Sequence, residues 1–301
     1  MTTTTTTTTK DAPVAPPIKR SVFNRISSAT GSPLIQAFLA FVALIWLVPA
    51  LGLLISSLRP ESANSSSGWW TVFTKPAELT LDNYHSLLSN SDITRSFLNT
   101  ILITVPSTVL VVIIASMAAY AFAWMEFPGR DILFVAMIGL LVVPIQVALI
   151  PIAKLFGDLH VFGSIPSVIL FHVSFGLPFA IFLLRNFFAG IPPELLEAAR
   201  MDGAGEWKIF RSVVLPLGLP AIASLGIFQF LWVWNDLLVG LIFTDAGSKP
   251  LTVYLSGQTR QFGSSLDVLS SGSFLSLIVP LIVFFSFQRY FVQGMMAGSV
   301  K

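Results

Sequence analysis

The sequence at residues 191–220, IPPELLEAARMDGAGEWKIFRSVVLPLGLP, is a polar, helix-patterned island between long apolar stretches. Pro193 suits the first position of a helix, where a missing N–H has no cost. Glu194 and Glu197 complement the positive end of the helix dipole. Gly203 stands where a left-handed residue commonly ends a helix. The pattern therefore predicts a short helix that stops at a sharp corner.

A second helical pattern begins after Gly205. Trp207, Phe210 and Val214 recur at spacings of three and four, which places them on one helix face. Pro216 is expected to end this pattern or to bend it into the next apolar stretch. We therefore expect two short helices in the island, suited to contact with another protein. The alternative interpretation is an ordinary amphipathic surface loop.

The composition indicates a membrane protein. Hydrophobic residues make up 54% of the 301 residues and charged residues 11%, whereas soluble domains carry about a quarter charged residues. Six apolar runs are long enough to cross about 30 Å of hydrocarbon as helices. They cover residues 34–55, 97–125, 132–153, 161–184, 217–240 and 268–287. We expect an all-α fold with six transmembrane helices and a tight hairpin at residues 154–160.

Lysine and arginine residues orient these spans. Cytoplasmic segments of membrane proteins carry more Lys and Arg than external segments. An even number of spans returns both termini to one side. With the N-terminus inside, the inner segments hold 11 of the 17 basic residues and the outer segments hold six. The sequence therefore predicts a plasma or inner membrane protein with both termini and the island in the cytoplasm, and with residues 59–95 and 244–267 outside.

One membrane domain is expected at residues 33–292, with its cytoplasmic loop at about residues 188–218. Residues 1–32 contain a threonine tract and several prolines, cannot bury a core, and are predicted to be a disordered cytoplasmic tail. Residues 293–301 are predicted to be a cytoplasmic C-terminal tail. The first apolar run is too long for a signal-peptide core, so we expect it to remain as the first span.

Missing motifs argue against an enzyme. The sequence has neither a G-x-x-x-x-G-K-[ST] phosphate loop nor a G-x-S-x-G nucleophile motif. It has no cysteine, and His85, His160 and His172 lack a metal-binding spacing. We interpret His172 as a satisfied packing group in an apolar run. We expect no cofactor or metal on this chain and, at a net charge of +2, no nucleic-acid partner.

The island resembles the EAA loop of the membrane subunits of ABC importers. The matching residues are Glu197-Ala198-Ala199, Asp202-Gly203-Ala204 and Val214-Leu215-Pro216, in the same order and spacing. The sequence QGMMAGSVK at residues 293–301 and the Trp234-Asn235-Asp236 motif are similar to MalG-like permeases of carbohydrate importers. Residues 230–238 and 279–285 resemble the α-glucoside branch of these permeases.

The resemblance implies a type I ABC importer permease fold with a cytoplasmic coupling helix. The implied ATPase-coupling residues are Glu197, Ala198, Ala199, Asp202, Gly203, Leu215 and Pro216, and the implied C-terminal ATPase contacts are Gly294, Met296 and Gly298. The alternative for the C-terminal residues is a frayed terminus.

The resemblance also implies the partners of the chain. They are a MalF-like second permease subunit, a homodimeric ATPase that binds ATP and Mg, an extracytoplasmic sugar-binding protein, and membrane lipid. The implied substrates are α-glucosides such as maltose, trehalose or related oligosaccharides.

Polar and aromatic residues of the third and fifth runs are candidates for the substrate pathway. These candidates are Gln146, Gln229, Trp232, Trp234, Asn235 and Asp236. Aromatic faces can pack on a sugar ring, and the polar side chains can bond its hydroxyls. As alternatives, the tryptophans could form an interfacial belt, and Asp236, roughly 30 Å along a helix from Pro216, could be an ordinary boundary carboxylate.

Two other functions stay open from the sequence. A secondary transporter driven by an ion gradient usually places ionisable residues well inside its spans, and Asp236 is the sole candidate here. An ABC permease for a non-sugar solute would share the island. The MalG-like tail and the Trp234 motif favour a sugar.

Overall fold

The computed structural model describes residues 33–261 and 266–297, and these residues form helices and turns. The first half contains α1 Pro33–Ser57, α2 Glu61–Ser66, α3 Asp82–Ser89, α4 Ser91–Trp124, α5 Arg130–Leu140, α6 Ile145–Asp158 and α7 Ile165–Phe188. The second half contains α8 Pro193–Met201, α9 Glu206–Ile209, α10 Leu215–Trp234, α11 Leu238–Phe243, α12 Leu251–Gln261 and α13 Leu266–Ala297. The all-α fold class is confirmed for this part of the chain.

Three short helical turns complete the described elements. Two 3₁₀ turns, Trp69–Phe73 and Pro76–Glu78, lie between α2 and α3, and a π-helical turn, Phe210–Val214, joins α9 to α10. The predicted tail at residues 1–32 and the candidate Gly298 lie outside the described residues. Gly294 and Met296 fall within the backbone of α13, so the helix continues into the predicted C-terminal tail.

Five helices among the described residues are long and apolar enough to cross a membrane. They are Pro33–Ser57, Ser91–Trp124, Ile165–Phe188, Glu206–Trp234 and Val268–Gln288. The pair α5 and α6 makes a sixth only if two helices bent by 102° count as one span. The described residues therefore contain five such spans, or the predicted six if the bent pair is counted as the third span.

The prediction of a single helix at residues 132–153 is wrong. The helix stops at Leu140, and α6 begins only after Pro144. Proline has no N–H to donate and forces the residue before it away from helical backbone angles. Hydrophobicity alone does not distinguish the two helices, because the residues between α5 and α6 are also apolar.

The hairpin predicted at residues 154–160 is displaced along the chain. Helix α6 continues to Asp158, and the turn that follows contains His160 and Gly163 with φ angles of 57° and 80°. Lys154 is therefore helical rather than part of the turn.

The helical pattern does not end at Pro216, which was one of the two outcomes expected there. Residues Glu206–Trp234 form one continuous helical span that contains the π turn. Pro216 lies in the first turn of α10. Because a π turn already displaces the hydrogen-bond register, we infer that the missing N–H of Pro216 falls where the regular ladder is interrupted.

The described residues divide into two compact units at the boundary between Leu51 and Gly52. The described part of the first unit is helix α1 up to Leu51. In the second unit, α4 packs along α7 and α10, and α10 also packs along α13. Small residues allow this close approach, because Ala115 and Ala119 of α4 and Ala180 of α7 are fully buried.

Part of the segment at residues 59–95, which the sequence predicts to lie outside the membrane, is folded around the side chain of Arg59. Arg59 is fully buried. Its guanidinium donates to the carbonyl of Gly68 at 3.1 Å and to the hydroxyl oxygens of Ser67 and Thr71 at 2.7 and 3.0 Å. Glu78 lies 3.4 Å from the same group and balances its charge. This cluster holds α2 and the two 3₁₀ turns together.

We predict that Gly218→Ala destabilises the protein. An added Cβ at Gly218 would lie 2.5 Å from Cε1 of Phe188, and the Phe188 side chain is fully buried. Overpacking of this kind lowers the free energy of unfolding by about 1–3 kcal/mol. Thermal unfolding of the purified protein in detergent measures the change.

Gly226→Ala is the matched control in the same helix. Its Cβ would lie 3.9 Å from Val112, which is ordinary contact, so this variant should be as stable as the parent or more stable by about 1 kcal/mol. Equal unfolding temperatures for the two variants would contradict the packing argument.

Candidate functional site

The island folds locally as its sequence predicts. Helix α8 begins at Pro193, and Gly203 has a φ of 78°, in the left-handed region. The N–H of Gly203 donates to the carbonyl of Arg200, and the N–H of Ala204 donates to that of Ala199, both at 3.0 Å. These bonds satisfy carbonyls that a helix end leaves free. The corner is therefore held by backbone geometry.

One side of the island is buried against the rest of the second unit. Leu196 of α8 and Ile209 of α9 are both fully buried. They pack with Phe210, Val214 and Phe188 in one apolar cluster. Burying side chains of this size gives about 1.5–3 kcal/mol each. The island is therefore packed on the helix ends rather than loosely tethered to them.

The other side of the island is exposed. Glu197, Ala198, Asp202 and Gly203 lie on the surface. Beside them, Met201 is 84% exposed and Trp207 is 63% exposed. Large apolar side chains displayed next to a carboxylate suit a protein partner. Of the remaining predicted coupling residues, Ala199 and Leu215 are half-buried and Pro216 is exposed.

A carboxylate ties the island to α4. Tyr120 of α4 donates its hydroxyl hydrogen to Oε2 of Glu206. Arg200 of α8 donates from Nε to Oε1 of Glu206 at 3.1 Å and from Nη2 to the carbonyl of Trp124 at 3.4 Å. The hydrogen bond to Glu206 raises the pKa of Arg200. Helices α8 and α9 of the island are thus both attached to α4 through the carboxylate of Glu206, which we call the anchor.

Sequence reasoning missed this anchor. Arg200 and Glu206 are six residues apart across the corner, a spacing that no helical pattern pairs. Tyr120 comes from 86 residues earlier in the chain. The sequence offered one signal, which is that Tyr120 and Trp124 lie one helical turn apart at the end of an apolar run. The indole N–H of Trp124 donates to the carbonyl of Phe188 at 3.0 Å, so both side chains make polar contacts at this end of α4.

The structure separates the pathway candidates into buried and exposed groups. Gln146 is exposed near the start of α6, and Asn235 is exposed with its amide donating to the carbonyl of Leu231 at 2.8 Å. Gln229 is 5% exposed. Trp234 is buried and donates to the carbonyl of Ser276 in α13 at 3.0 Å, so it lies inside the chain rather than in a surface belt.

Asp236 lies outside the helix in which the sequence placed it. The fifth run, predicted at residues 217–240, is broken because α10 ends at Trp234 and α11 begins at Leu238. The Asp236 carboxylate accepts from the N–H groups of Val239 at 3.3 Å and Gly240 at 2.9 Å. Aspartate favours such caps because it satisfies N–H groups at a helix start. The side chain therefore stabilises the break.

The end of the second unit opposite the island is closed by the loop before α12. Asn99 of α4 donates to the carbonyls of Gly247 and Lys249, each at 3.1 Å. The hydroxyl of Ser248 lies 2.7 Å from the carbonyl of Gly163 and 2.9 Å from the carboxylate of Asp245, and these two acceptors share its single hydrogen. The hydrogen bond from Ser248 holds the pKa of Asp245 below its usual value, and the bond from the N–H of Gly247 acts in the same direction. The loop is thus fastened to α4 and to the turn before α7.

A polar crevice of about 370 Å³ lies beside this loop. Its lining includes Asp92, Arg95, Asn99, Lys249 and Tyr254. The crevice and the island are therefore at opposite ends of α4.

Comparisons with known proteins agree with this arrangement. The family model described as "Binding-protein-dependent transport system inner membrane component" matches residues 91–297. The chain is 50% identical over 265 residues to the "Osmoprotective compounds uptake permease protein GgtD" of Synechocystis sp., a match that covers 86% of this chain and 89% of the relative. It is 47% identical over 255 residues to the "Alpha-glucoside transport system permease protein AglG" of Rhizobium meliloti, covering 82% and 67%.

A solved structure shares the fold. It is described as a bacterial ABC transporter involved in the import of the acidic polysaccharide alginate, and one of its chains matches with a TM-score of 0.74 and 25% identity. The match covers 92% of this chain and 100% of the other.

We predict that Tyr120→Phe loosens the island. The change removes a hydrogen bond to a charged group, worth about 1.5 kcal/mol, so α8 should open roughly tenfold more often. Amide hydrogen exchange across α8, measured by mass spectrometry, reports this opening.

Tyr84→Phe is the matched control, because it removes a tyrosine hydroxyl that pairs with Ser57 at 2.6 Å in another region. This variant should leave exchange in α8 unchanged. If amide exchange across α8 is as slow in Tyr120→Phe as in the parent and in Tyr84→Phe, the hydrogen bond between Tyr120 and Glu206 does not hold α8 in place.

Proposed function

Because the chain belongs to the family of binding-protein-dependent transport system inner membrane components, we propose that it is the permease subunit of an ATP-driven carbohydrate importer. The observation that carries the proposal is the exposed corner of α8, which lies within the matched residues and displays Glu197 beside apolar side chains. A permease needs such a feature to receive motion from an ATPase. The chain acts as a transporter component rather than as an enzyme.

The proposed substrates are α-glucosides such as maltose, trehalose or related oligosaccharides. Two relatives with about half of their aligned residues identical are permeases, one named for α-glucosides and one for osmoprotective compounds. The exposed residues Gln146, Trp232 and Asn235 are available to a passing sugar. We propose that they contact it directly, whereas the buried residues Gln229 and Trp234 shape the helices behind them.

The proposed partners follow from the same architecture. A MalF-like permease subunit completes the pathway, and an extracytoplasmic sugar-binding protein delivers the substrate to the end that carries the crevice. A homodimeric ATPase supplies ATP and Mg and receives α8 in a groove. The island and both termini face the cytoplasm. In this proposal Gly294, Met296 and Gly298 make a second contact with the ATPase.

The anchored island explains how motion reaches the membrane. Arg200 and Glu206 connect the corner to Tyr120 at the inner end of α4. Helix α4 packs along α7 and α10. A displacement of α8 by the ATPase therefore moves the three helices as a set.

We predict ATP-dependent uptake of α-glucosides by the co-purified complex in proteoliposomes. Maltose, trehalose, sucrose and glycerol phosphodiesters are compared as labelled substrates, with and without the sugar-binding protein. Uptake of an α-glucoside should require internal ATP and the binding protein, and it should persist when an ionophore collapses the proton gradient. Uptake that runs without ATP and stops with the gradient would establish the secondary transporter instead.

Gly203→Ala should uncouple ATP hydrolysis from uptake. At a φ of 78° a side chain costs roughly 1–2 kcal/mol, although no atom lies within 4 Å of the added Cβ. We expect the corner to shift and uptake to fall by about tenfold while the complex still assembles. Uptake and co-purification of the ATPase are measured in the same membranes.

Gly205→Ala is the matched control, because it removes a nearby glycine without introducing backbone strain. Gly205 has a φ of −72° and equally open space around its Cβ position. This variant should transport at the parent rate. Parent-like uptake in both variants would remove the corner from the coupling mechanism.

A further inference from the structure

Two basic side chains of α7 have buried nitrogen atoms without a hydrogen-bond partner among the described residues. His172 is 1% exposed, and neither of its ring nitrogens is hydrogen-bonded there. The prediction of a packing group is therefore right in its location, but the group is not satisfied. Nε2 of His172 lies 3.6 Å from Oδ2 of Asp236, so an acidic side chain lies beside this ring. The second residue, Arg185 in the last turn of α7, lacks such a neighbour.

Arg185 has no acidic partner in the part of the chain that the structure describes. Its Nε atom is buried without a hydrogen bond, and the side chain takes part in no ion pair among these residues. Its Cζ atom lies 5.0 Å from the ring centroid of Phe134 in α5. The face of a ring attracts a cation, but it does not accept the directed hydrogen bonds of a guanidinium. A cation of this kind near the end of a membrane helix indicates a partner outside the chain.

The acidic side chains around the start of α5 do not supply the missing charge. Asp131 pairs with Arg130, whose Nε lies 3.0 Å from Oδ1 of the carboxylate. Glu126 is exposed and pairs with no cation within the described ranges. Arg130 precedes Phe134 by one helical turn, so these two side chains share a face of α5. The surface of α5 beside Arg185 is therefore basic and aromatic rather than acidic.

The position of Arg185 along α7 corresponds to the level of lipid headgroups. Helix α7 is among the helices that are long and apolar enough to cross a membrane, and it begins at Ile165. At about 1.5 Å per residue, roughly 30 Å separates Ile165 from Arg185 along the helix axis. The hydrocarbon core of a bilayer is about 30 Å thick. The guanidinium therefore reaches the layer in which phospholipid phosphates lie.

The surface that leads to Arg185 is apolar and exposed. Phe179 and Phe182 precede Arg185 at spacings of three, so they lie on the same side of α7, and both are exposed. On α5, which packs against α7, Leu133 and Val135 are exposed as well. An apolar surface that ends at an unpaired cation matches the acyl chains and the phosphate of one phospholipid.

We propose that Arg185 binds the phosphate of an anionic phospholipid whose acyl chains lie along the exposed apolar surface of α5 and α7. The planar guanidinium suits a phosphate because its N–H groups can donate to two oxygens at once. Phe134 holds the guanidinium from one side. An anionic headgroup neutralises the cation, whereas a zwitterionic headgroup brings a second cation to a surface that is already basic. The bound lipid then connects the start of α5 to the end of α7.

Native mass spectrometry of the purified, assembled complex tests the lipid site. The complex is titrated in parallel with phosphatidylglycerol and with phosphatidylcholine, and the number of bound lipids is recorded at each concentration. We expect the parent to bind phosphatidylglycerol more tightly. Arg185→Gln should weaken the binding of one phosphatidylglycerol molecule about tenfold, the effect of one hydrogen bond between charged groups. Binding of phosphatidylcholine should change little.

Three further variants separate the site from a general effect of charge. Arg185→Lys keeps the charge without the planar group, so it should weaken binding less than Arg185→Gln does. Phe134→Leu removes the ring beside the guanidinium and should weaken binding about threefold. Arg211→Gln is the matched control, because it removes an exposed guanidinium of the island, and it should bind phosphatidylglycerol like the parent. If Arg185→Gln does not assemble, parent-like binding in both Arg185→Lys and Phe134→Leu overturns the proposal.

The remaining outcomes identify a different occupant. Displacement of phosphatidylglycerol by inorganic phosphate at millimolar concentration would assign the site to a soluble anion and overturn the lipid. Loss of a partner subunit from the Arg185→Gln complex, with unchanged phosphatidylglycerol binding, would assign the cation to a protein contact and overturn it as well. The inference does not rest on the proposed function, since it concerns the chain in any bilayer. A complex that binds the lipid but takes up no sugar retains this site and refutes only the function proposed above.

Discussion

Inside a bilayer each backbone N–H and C=O must find its partner within the protein, and the two breaks in the long helices both supply partners for backbone N–H groups. Between α5 and α6, the N–H groups of Leu141, Val142 and Val143 each donate to a carbonyl three residues earlier. The next residue is Pro144, which has no N–H to satisfy. After α10, the carboxylate of Asp236 accepts the N–H groups that the start of α11 leaves free, and Thr252 donates to the Asp236 carbonyl at 2.6 Å. Both breaks therefore provide acceptors for N–H groups that an interrupted helix would otherwise leave free.

A shared acceptor also connects the helices at the end of α4 that contacts the island. Glu206 of α9 accepts from Tyr120 of α4 and from Arg200 of α8, so one carboxylate joins three helices. A single shared acceptor makes the segments move together, because shifting one of them breaks bonds to the others. The island can therefore be small and exposed and still be mechanically connected to the long helices.

The sequence predicted correctly those features that depend on residues close together in the chain. Pro193, the acidic first turn and Gly203 identified α8 and its corner, because capping depends on residues a few positions apart. Hydrophobic runs located the long helices but missed the break at Pro144 and the one at Asp236. Hydropathy does not register a proline's missing N–H or a carboxylate that competes for backbone donors. The contacts between Tyr120 and Glu206 and between His172 and Asp236 depend on how distant helices pack, which no local pattern in the sequence contains.

The corner at Gly203 has a further consequence for the handedness of the chain. Its φ of 78° is strained for an L-amino acid, yet no atom lies within 4 Å of an added Cβ. For a D-amino acid the same angle lies in the favoured half of backbone space. A D-alanine at this position would keep the corner and leave fewer conformations to the unfolded chain, whereas its mirror image would strain it. Glycine is the only common genetically encoded residue that is achiral. At this position the backbone therefore selects a residue by its chirality and not by the size of its side chain.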